Sequence, residues 1–252
     1  MNESILTINA RYHRLFPQNH FRGSREELLE IDRARTVLLA VDVGGMGHDH
    51  LKAQEDEVIS TMISPSIVAG RNIGIPIIYI NNSAPKISIM NSELAKIAKR
   101  SFDLNWEEWG SEDTVDSREY VYGHSDALKI PTEIEPQPED YFLRKHAYSG
   151  FFETRLDGLL RNIGAKSLIC LGFSLDVCLL STMIDAMNLN YQVVLLRDAT
   201  LAQELPGDLE DLAFTKRLIT LTEYSIGYTA TSKEFIAACD SLAHKENRNC
   251  AS

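Results

Sequence analysis

Apolar residues in this chain form short runs that alternate with longer amphipathic segments. Six runs of strand length are predicted, at residues 36–43, 75–80, 140–145, 167–173, 192–197 and 224–228. Apolar residues at helical spacing predict helices at residues 54–72, 91–100, 151–163, 177–189, 209–221 and 232–244. Such alternation is typical of a parallel sheet covered on both faces, with right-handed crossovers. The predicted fold class is α/β, a Rossmann-like three-layer sandwich with a mostly parallel six-stranded sheet.

The segments outside this alternation are polar. Residues 1–35 are predicted as an N-terminal arm that lies on the surface or on a neighbouring subunit. Residues 36–244 are predicted as one domain, and residues 245–252 as a polar, frayed C-terminal tail. The pattern weakens at residues 83–138, which are predicted as a long excursion over the sheet that includes Trp106 and Trp109. Long irregular segments of this kind often cover a site.

Composition narrows the classes of protein. The chain has 252 residues and a formal net charge of -11, so clustered cations for nucleic acid or an anionic membrane are not expected. Its four cysteines are scattered without a CxxC pair, which is typical of a reducing compartment. Neither a leader pattern nor an apolar run of about 20 residues is visible, so a cytoplasmic protein is predicted.

Three reactive side chains occur at or just after predicted strand ends: Asp42, Lys145 and Cys178. Parallel strands end at one edge of the sheet, where open α/β sheets bind their ligands, so one cleft is predicted to hold all three. Taken singly, each has a structural alternative. Asp42 would cap the next segment, and Lys145 would be a solvated residue that ends its strand.

Cys178 is predicted in the first turn of a helix, where free N–H groups and the helix dipole lower a thiol pKa. The same N–H groups would stabilise a developing oxyanion. The alternative is a small buried apolar residue. Asp176 is predicted to cap this helix, and its carboxylate would raise the thiol pKa.

Polar residues near the predicted strand ends suggest further roles. His48, Asp49 and His50 follow the first strand, but companion ligands at convincing spacing are not visible, so neither a metal nor a cofactor is predicted. Asn81 and Asn82 end the second strand. They would make a turn or hold a ureido or carboxamide group.

A resemblance to a known family rests on VLLAVDV and on KHAYSGFFETRLDGLLRNIGAKSLICLGFSLDVCLLSTMIDAMNLNYQVVLLRDAT. These segments resemble the isochorismatase-like cysteine hydrolase superfamily. They join an Asp after the first strand, a Lys before a YSGFF helix start, and a Cys that begins the next crossover helix. Within the superfamily the pattern looks most like the ureidoacrylate amidohydrolases, while N-carbamoylsarcosine amidohydrolases and biuret hydrolases are similar in the same region.

The resemblance implies a role for each residue. Cys178 would be the nucleophile, Asp42 the base that accepts its proton, and Lys145 the cation that stabilises the thiolate. The backbone N–H groups of Ser174 and Cys178 would form the oxyanion hole, with a cis peptide before Ser174. Asn82 and Tyr148 would contact the substrate.

The chain also departs from the family pattern. Members commonly follow the Asp with Met-Gln-Asn, whereas Val43, Gly44 and Gly45 stand here and remove two amide side chains from the site wall. Ser174 replaces the usual Thr, which leaves the backbone donor in place. The ligand cluster of the metal-dependent nicotinamidases has no clear match. True isochorismatases lack the nucleophilic cysteine.

The sequence therefore predicts a cysteine-dependent amidohydrolase that cleaves a linear C–N bond of a small amide, ureido or carbamoyl compound through an acyl-enzyme. A ureidoacrylate-like substrate is favoured, and a homo-oligomer, a dimer or tetramer, is expected. The alternative enzyme is a biuret or N-carbamoyl amino acid hydrolase, for which a carboxylate-binding cation cannot be assigned to Arg144 or His146. Two further alternatives are a non-catalytic binding relative and a thiol redox protein that pairs Cys178 with Cys170 or Cys239.

Overall fold

The structure is a computed structural model that describes residues 4–16, 22–46, 49–82, 92–102 and 130–250. Most of the predicted excursion at residues 83–138, including Trp106 and Trp109, lies outside the described residues, as does His48. Its last part, residues 130–138, is described and contains a 3-10 turn at Thr132–Ile134.

A single sheet organises the described residues. Its strands are β1 Ile5–Arg14, β2 Gly23–Asp32, β3 Thr36–Val41, β4 Ile77–Asn82, β5 Tyr141–Lys145, β6 Ser167–Gly172, β7 Gln192–Leu196 and β8 Tyr228–Ala230. They lie in the order β2-β1-β8-β7-β6-β3-β4-β5, and β3 to β8 run parallel. The predicted α/β class with a mostly parallel sheet is confirmed. The carboxyl ends of β3, β4 and β5 are adjacent, so Asp42, Asn82 and Lys145 meet at one edge.

The predicted number of six strands is wrong, because the described residues form a sheet of eight strands. The expected N-terminal arm instead folds into the antiparallel hairpin of β1 and β2, and β1 joins the sheet antiparallel to β8 where Arg11 lies opposite Thr229. Leu6, Ile8 and Ala10 are fully buried at alternate positions of β1. This period-two pattern, diluted by polar neighbours, is the strand signal that the composition of the segment hides.

A buried carboxylate ties the hairpin to the domain. Glu223 accepts hydrogen bonds from Arg11 Nε at 2.5 Å and from Thr229 Oγ1 at 2.7 Å. The Glu223 side chain is fully buried, so these donors replace the water that its oxygens would otherwise contact. The hairpin is therefore joined to the sheet by an ion pair as well as by strand pairing.

Helices cover both faces of the sheet. They are α1 Lys52–Val58, α2 Ser64–Asn72, α3 Glu93–Phe102, α4 Leu156–Ile163, α5 Cys178–Asn188, α6 Ala213–Ser225 and α7 Ser232–Cys250. A π-helical turn at Ile59–Ile63 joins α1 to α2. Side chains of α1, α2 and α7 pack on one face of the sheet, and those of α4, α5 and α6 pack on the other. Burial of these two apolar layers is the main source of stability.

Some helix boundaries differ from the prediction. The expected frayed tail is wrong up to residue 250, because α7 runs to Cys250. Helix α6 begins at Ala213 and not at residue 209, because the buried Glu204 accepts the backbone N–H groups of Phe214 and Thr215 at 3.0 and 2.9 Å and so fixes the first turn. The division into arm, domain and tail stays a prediction. Among the described residues, no helix has the length and apolar character needed to cross a membrane.

Candidate active site

Asp42 follows β3 directly and turns the chain with a positive φ of 46°. Its backbone N–H still donates to Ile80 O at 2.9 Å, as a further residue of the strand would do. Asp42 as a whole residue is 8% exposed. The carboxylate accepts the backbone N–H of Asn82 at 2.7 Å, so the end of β4 holds it in place.

Lys145 ends β5 and is 1% exposed. Its Nζ atom lies 2.8 Å from Asp42 Oδ2 and 3.2 Å from Cys178 Sγ. The structure therefore brings the three predicted catalytic side chains into one cluster, with the ammonium between the carboxylate and the thiol. Lys145 is therefore not a solvated residue at the end of its strand, which was the structural alternative.

Cys178 is the first residue of α5 and is 5% exposed. The turn before it is closed by Ser174 O, which accepts the N–H groups of Val177 and Leu179 at 3.2 and 3.1 Å. Within the described part of the chain, no acceptor is found for the backbone N–H of Ser174 or of Cys178. Both groups suit the oxyanion hole predicted for them.

The segment from β6 to α5 has an unusual backbone. Gly172 has a φ of +110°, and a Cβ atom there would lie 1.9 Å from Val41 O, so only glycine fits. The peptide bond between Phe173 and Ser174 is cis, as the resemblance implied. Asp176 does not cap α5, contrary to the prediction: the N-cap position is Val177, and the hydrogen bonds of the Asp176 carboxylate among the described residues go elsewhere. It accepts hydrogen bonds from Ser174 Oγ and from the N–H of Gln203, and so links two loops.

Burial determines the charge of the resting thiol. It raises the pKa of Cys178 to about 12, and the nearby Asp42 adds to this rise, while Lys145 and Asn82 oppose it. The lowered pKa expected from the helix start is therefore wrong. Burial also lowers the pKa of Lys145, but Asp42 and Cys178 outweigh this effect and leave that pKa raised. These two directions favour a neutral thiol on Cys178 beside a charged ammonium on Lys145 in the resting site.

The two residues predicted to contact substrate lie at this site. Asn82 side-chain atoms lie 3.3 Å from Asp42 Oδ2, 2.5 Å from Lys145 Nζ and 3.7 Å from Cys178 Sγ. Burial raises the pKa of the half-buried Tyr148, and Cys178 and Asp176 raise it further, which places its phenol within their electrostatic reach. Substrate contact by either residue stays a prediction.

Sequence reasoning missed the polar side chains that hold the Tyr148 loop. Thr182 Oγ1 accepts the N–H of Gly150 at 2.9 Å and donates to Cys178 O at 2.7 Å. Ser149 Oγ donates to Asp185 Oδ2 at 2.5 Å. The sequence signal that could have identified this contact is the position of Thr182: it lies four residues after Cys178, on the helix face that is otherwise apolar. This anchoring fixes the loop against the helix that carries the thiol.

Another carboxylate fills the space beside the glycines after Asp42. A Cβ atom on Gly45 would lie 2.6 Å from Glu55 Oε2, and the same oxygen accepts the N–H of Met46 at 3.1 Å. Glu55 is 2% exposed and its Oε1 has no hydrogen-bond partner among the described residues. Glu55 therefore occupies the space that a side chain at position 45 would need.

The remaining polar candidates lie apart from this cluster or have other partners. His146 Nε2 lies 3.0 Å from Glu153 Oε2, so that imidazole has a carboxylate partner of its own. Within the described ranges, His, Cys, Asp and Glu side chains do not assemble in groups of three or more that would hold a metal ion. A cavity of about 850 Å³ lies between β5 and the start of α4, and Lys145 and Cys178 are not among its lining residues.

A parallel sheet with a buried Asp, Lys and Cys at its carboxyl edge defines an α/β protein with a thiol and acid–base site. Residues 36–218 match the isochorismatase domain family, and the chain belongs to that family. Ureidoacrylate amidohydrolase of Pantoea ananatis is 38% identical over 119 residues, which are 47% of this chain and 44% of that protein. The corresponding protein of Variovorax paradoxus is 30% identical over 179 residues, which are 69% of this chain and 66% of that protein.

Solved structures share the fold. A cysteine hydrolase from Pseudomonas syringae pv. phaseolicola has a TM-score of 0.67 at 22% identity, covering 84% of this chain and 95% of that one. N-carbamoylsarcosine amidase from Thermoplasma acidophilum has a TM-score of 0.53 at 24% identity, covering 79% of this chain and 96% of that one. The aligned part of the chain spans less than two thirds of the two ureidoacrylate amidohydrolases above.

Proposed function

We propose that this protein is a cysteine-dependent amidohydrolase that cleaves a C–N bond of a small amide, ureido or carbamoyl compound. The observation that carries the proposal is the position of Lys145 Nζ, within 2.8 Å of Asp42 Oδ2 and 3.2 Å of Cys178 Sγ. A nucleophile, a base and a cation in mutual contact are the parts that acyl transfer by a thiol requires. Membership of the isochorismatase family and relatives named as amidohydrolases support the same chemistry.

The steps follow from the resting charges. The raised thiol pKa means that Cys178 needs a base, and Asp42 is the carboxylate that shares its ammonium partner. Asp42 takes the thiol proton as Sγ attacks the carbonyl carbon, and Lys145 stabilises the sulfur while it carries negative charge. The backbone N–H groups of Ser174 and Cys178 receive the oxyanion.

The second half of the reaction returns the site to its starting state. Protonated Asp42 gives its proton to the leaving nitrogen, and the C–N bond breaks to leave a thioester on Cys178. Water, deprotonated by Asp42, attacks the thioester carbon. Collapse of that intermediate breaks the C–S bond and releases the acid or carbamate, and Cys178 recovers its proton.

A ureidoacrylate-like compound is the favoured substrate, since both curated relatives above are named for that activity. A biuret or N-carbamoyl amino acid is the second candidate, because the glycines after Asp42 change the site wall and a structural relative is an N-carbamoylsarcosine amidase. Asn82 and Tyr148 are proposed to face the substrate in either case. Assembly as a dimer or tetramer is part of the proposal.

The test is ammonia release from ureidoacrylate, biuret, N-carbamoyl amino acids, maleamate and nicotinamide, measured for the wild type beside Cys178→Ala. We expect the wild type to release ammonia from at least one ureido or carbamoyl compound and the variant to release none. The variant should still fold, because the helix start tolerates a small apolar residue. Release that persists in Cys178→Ala would refute thiol catalysis. A wild-type protein that is inert toward the whole panel would count against the proposed amidohydrolase and favour the alternative of a non-catalytic binding protein.

A further inference from the structure

Asn82 is the only described residue for which hydrogen bonds to Asp42, Lys145 and Cys178 are all observed. Its backbone N–H donates to Asp42 Oδ1 at 2.7 Å and its Nδ2 donates to Asp42 Oδ2 at 3.3 Å. Its Oδ1 accepts from Lys145 Nζ at 2.5 Å, and its Nδ2 lies 3.7 Å from Cys178 Sγ. These four contacts make one amide the link between the base, the cation and the nucleophile.

The Lys145 ammonium has as many acceptors as donors. An ammonium carries three N–H groups, and a fully buried one leaves each unpaired group at a free-energy cost. Here the acceptors are Asp42 Oδ2, Cys178 Sγ and Asn82 Oδ1. Asn82 supplies the one acceptor whose charge does not change when a proton moves from Cys178 to Asp42.

The ammonium also fixes which way the amide faces. Lys145 only donates, so the oxygen of Asn82 must face Nζ and the NH₂ group must face Asp42 and Cys178. Both oxygens of Asp42 are then bonded to Asn82, one through the backbone and one through the side chain. The carboxylate is thereby held in one orientation beside the ammonium.

We propose that Asn82 is a positioning residue, which holds Lys145 and Asp42 in place while the thiol proton is transferred. This inference rests on the proposed function, because it assigns Asn82 a task within that triad. When Asp42 is protonated it loses its attraction for Lys145, and the bond to Asn82 Oδ1 keeps the ammonium beside the thiolate. The amide acts through the triad and needs no contact with substrate to do so.

The experiment compares Asn82→Ala and Asn82→Leu with the wild type. Leucine keeps the branched shape and the number of heavy atoms of the amide side chain and removes its hydrogen bonds, so it fills the space that alanine would leave empty beside the triad. Asn81→Ala is the matched control, because the preceding residue of β4 points to the opposite face and its Oδ1 has no hydrogen-bond partner in the described part of the chain. Alkylation of Cys178 by iodoacetamide is followed by mass spectrometry over a pH series, together with kcat and KM for ureidoacrylate.

Positioning predicts that both Asn82 variants alkylate more slowly at each pH, about tenfold for each unit by which the thiol pKa rises. We expect kcat to fall about 10- to 100-fold, as for loss of a hydrogen bond to a charged group, with a smaller change in KM from any lost contact with substrate. A side chain that merely filled space would, on removal, expose the thiol and speed its alkylation. Faster or unchanged alkylation in both Asn82 variants would overturn the proposal, as would a rise in KM at constant kcat.

Failure of the proposed function gives a different result. Turnover that survives Cys178→Ala would remove the thiol from catalysis, whatever the Asn82 variants do. Turnover that requires Cys178, combined with wild-type alkylation in Asn82→Leu, would leave the function standing and refute positioning alone. Wild-type behaviour of Asn81→Ala is required for the effect to be specific, and equal slowing in that control would also refute the proposal.

Discussion

The Nζ atom of Lys145 lies 2.8 Å from Oδ2 of Asp42, and both side chains are almost inaccessible to water. Breaking a buried pair of this kind leaves one charge without its partner. We expect Asp42→Asn to lower the free energy of unfolding by about 3–5 kcal/mol. It should also lower kcat about 10²- to 10⁴-fold, because asparagine cannot accept the thiol proton. Urea unfolding and steady-state kinetics measure the two effects.

The double variant Asp42→Asn with Lys145→Met provides the control for the stability effect. It removes both charges, so its loss of stability should be smaller than the sum of the two single losses. Single losses that simply add would show that the two side chains do not interact energetically, and the pairing would then have no part in the stability of the site.

Cys178 should react as a buried thiol in the resting protein. Burial raises its pKa to about 12, whereas the usual pKa of a cysteine thiol is about 9. The thiolate fraction and the alkylation rate should therefore still increase tenfold per pH unit above pH 9, where the rate of an ordinary thiol has reached its plateau. The buried Cys170 and Cys239 also have pKa values raised to about 12, so the alkylated peptide must be identified by mass spectrometry. A rate that reaches its plateau near neutral pH would mean that a thiolate and ammonium pair exists before substrate binds.

The sequence was sufficient to predict the parallel part of the sheet and the three residues at its edge. Strands β3, β4, β6 and β7 are nearly continuous apolar runs, and a parallel sheet places the ends of such runs together. Asp42 and Lys145 stand out because a charge at the end of a buried strand needs a partner. Their proximity to Cys178 followed from topology alone.

Features that depend on long-range contacts were not predicted. The hairpin of β1 and β2 is largely polar, and its contacts reach far along the sequence: β1 pairs with β8, and Arg11 donates a hydrogen bond to Glu223, about 200 residues later. The start of α6 depends in the same way on the Glu204 cap. The direction of the Cys178 pKa shift was wrong because burial depends on the whole fold, whereas the helix start could be identified locally.

Glu55 should make stability depend on pH. Burial raises its pKa, while the Met46 N–H and Lys52 oppose the rise. A raised pKa favours the protonated carboxyl in the folded state, so this stability is fully present below the unfolded pKa and is lost as pH rises. Glu55→Gln keeps an acceptor for Met46 and cannot ionise, so we expect it to be more stable than the wild type at neutral pH. Urea unfolding over a pH series should show this advantage shrinking below the usual glutamate pKa of about 4.3; a constant difference would contradict the prediction.

Gly172, the last residue of β6, should not tolerate a side chain. A Cβ atom there would lie 1.9 Å from the carbonyl oxygen of Val41, and the φ of +110° is one that other residues rarely adopt. Because the contact is with the backbone of β3, Gly172→Ala must displace β3 or β6, and we expect the free energy of unfolding to fall by more than about 4 kcal/mol.

Gly158→Ala is the matched control. Gly158 lies within α4 with open space around it, so alanine should stabilise the protein by about 0.5–1 kcal/mol. Thermal and urea unfolding of both variants test the contrast. A Gly172→Ala protein with an unchanged unfolding midpoint would contradict the prediction, because the backbone after β6 would then have moved away from Val41 without loss of stability.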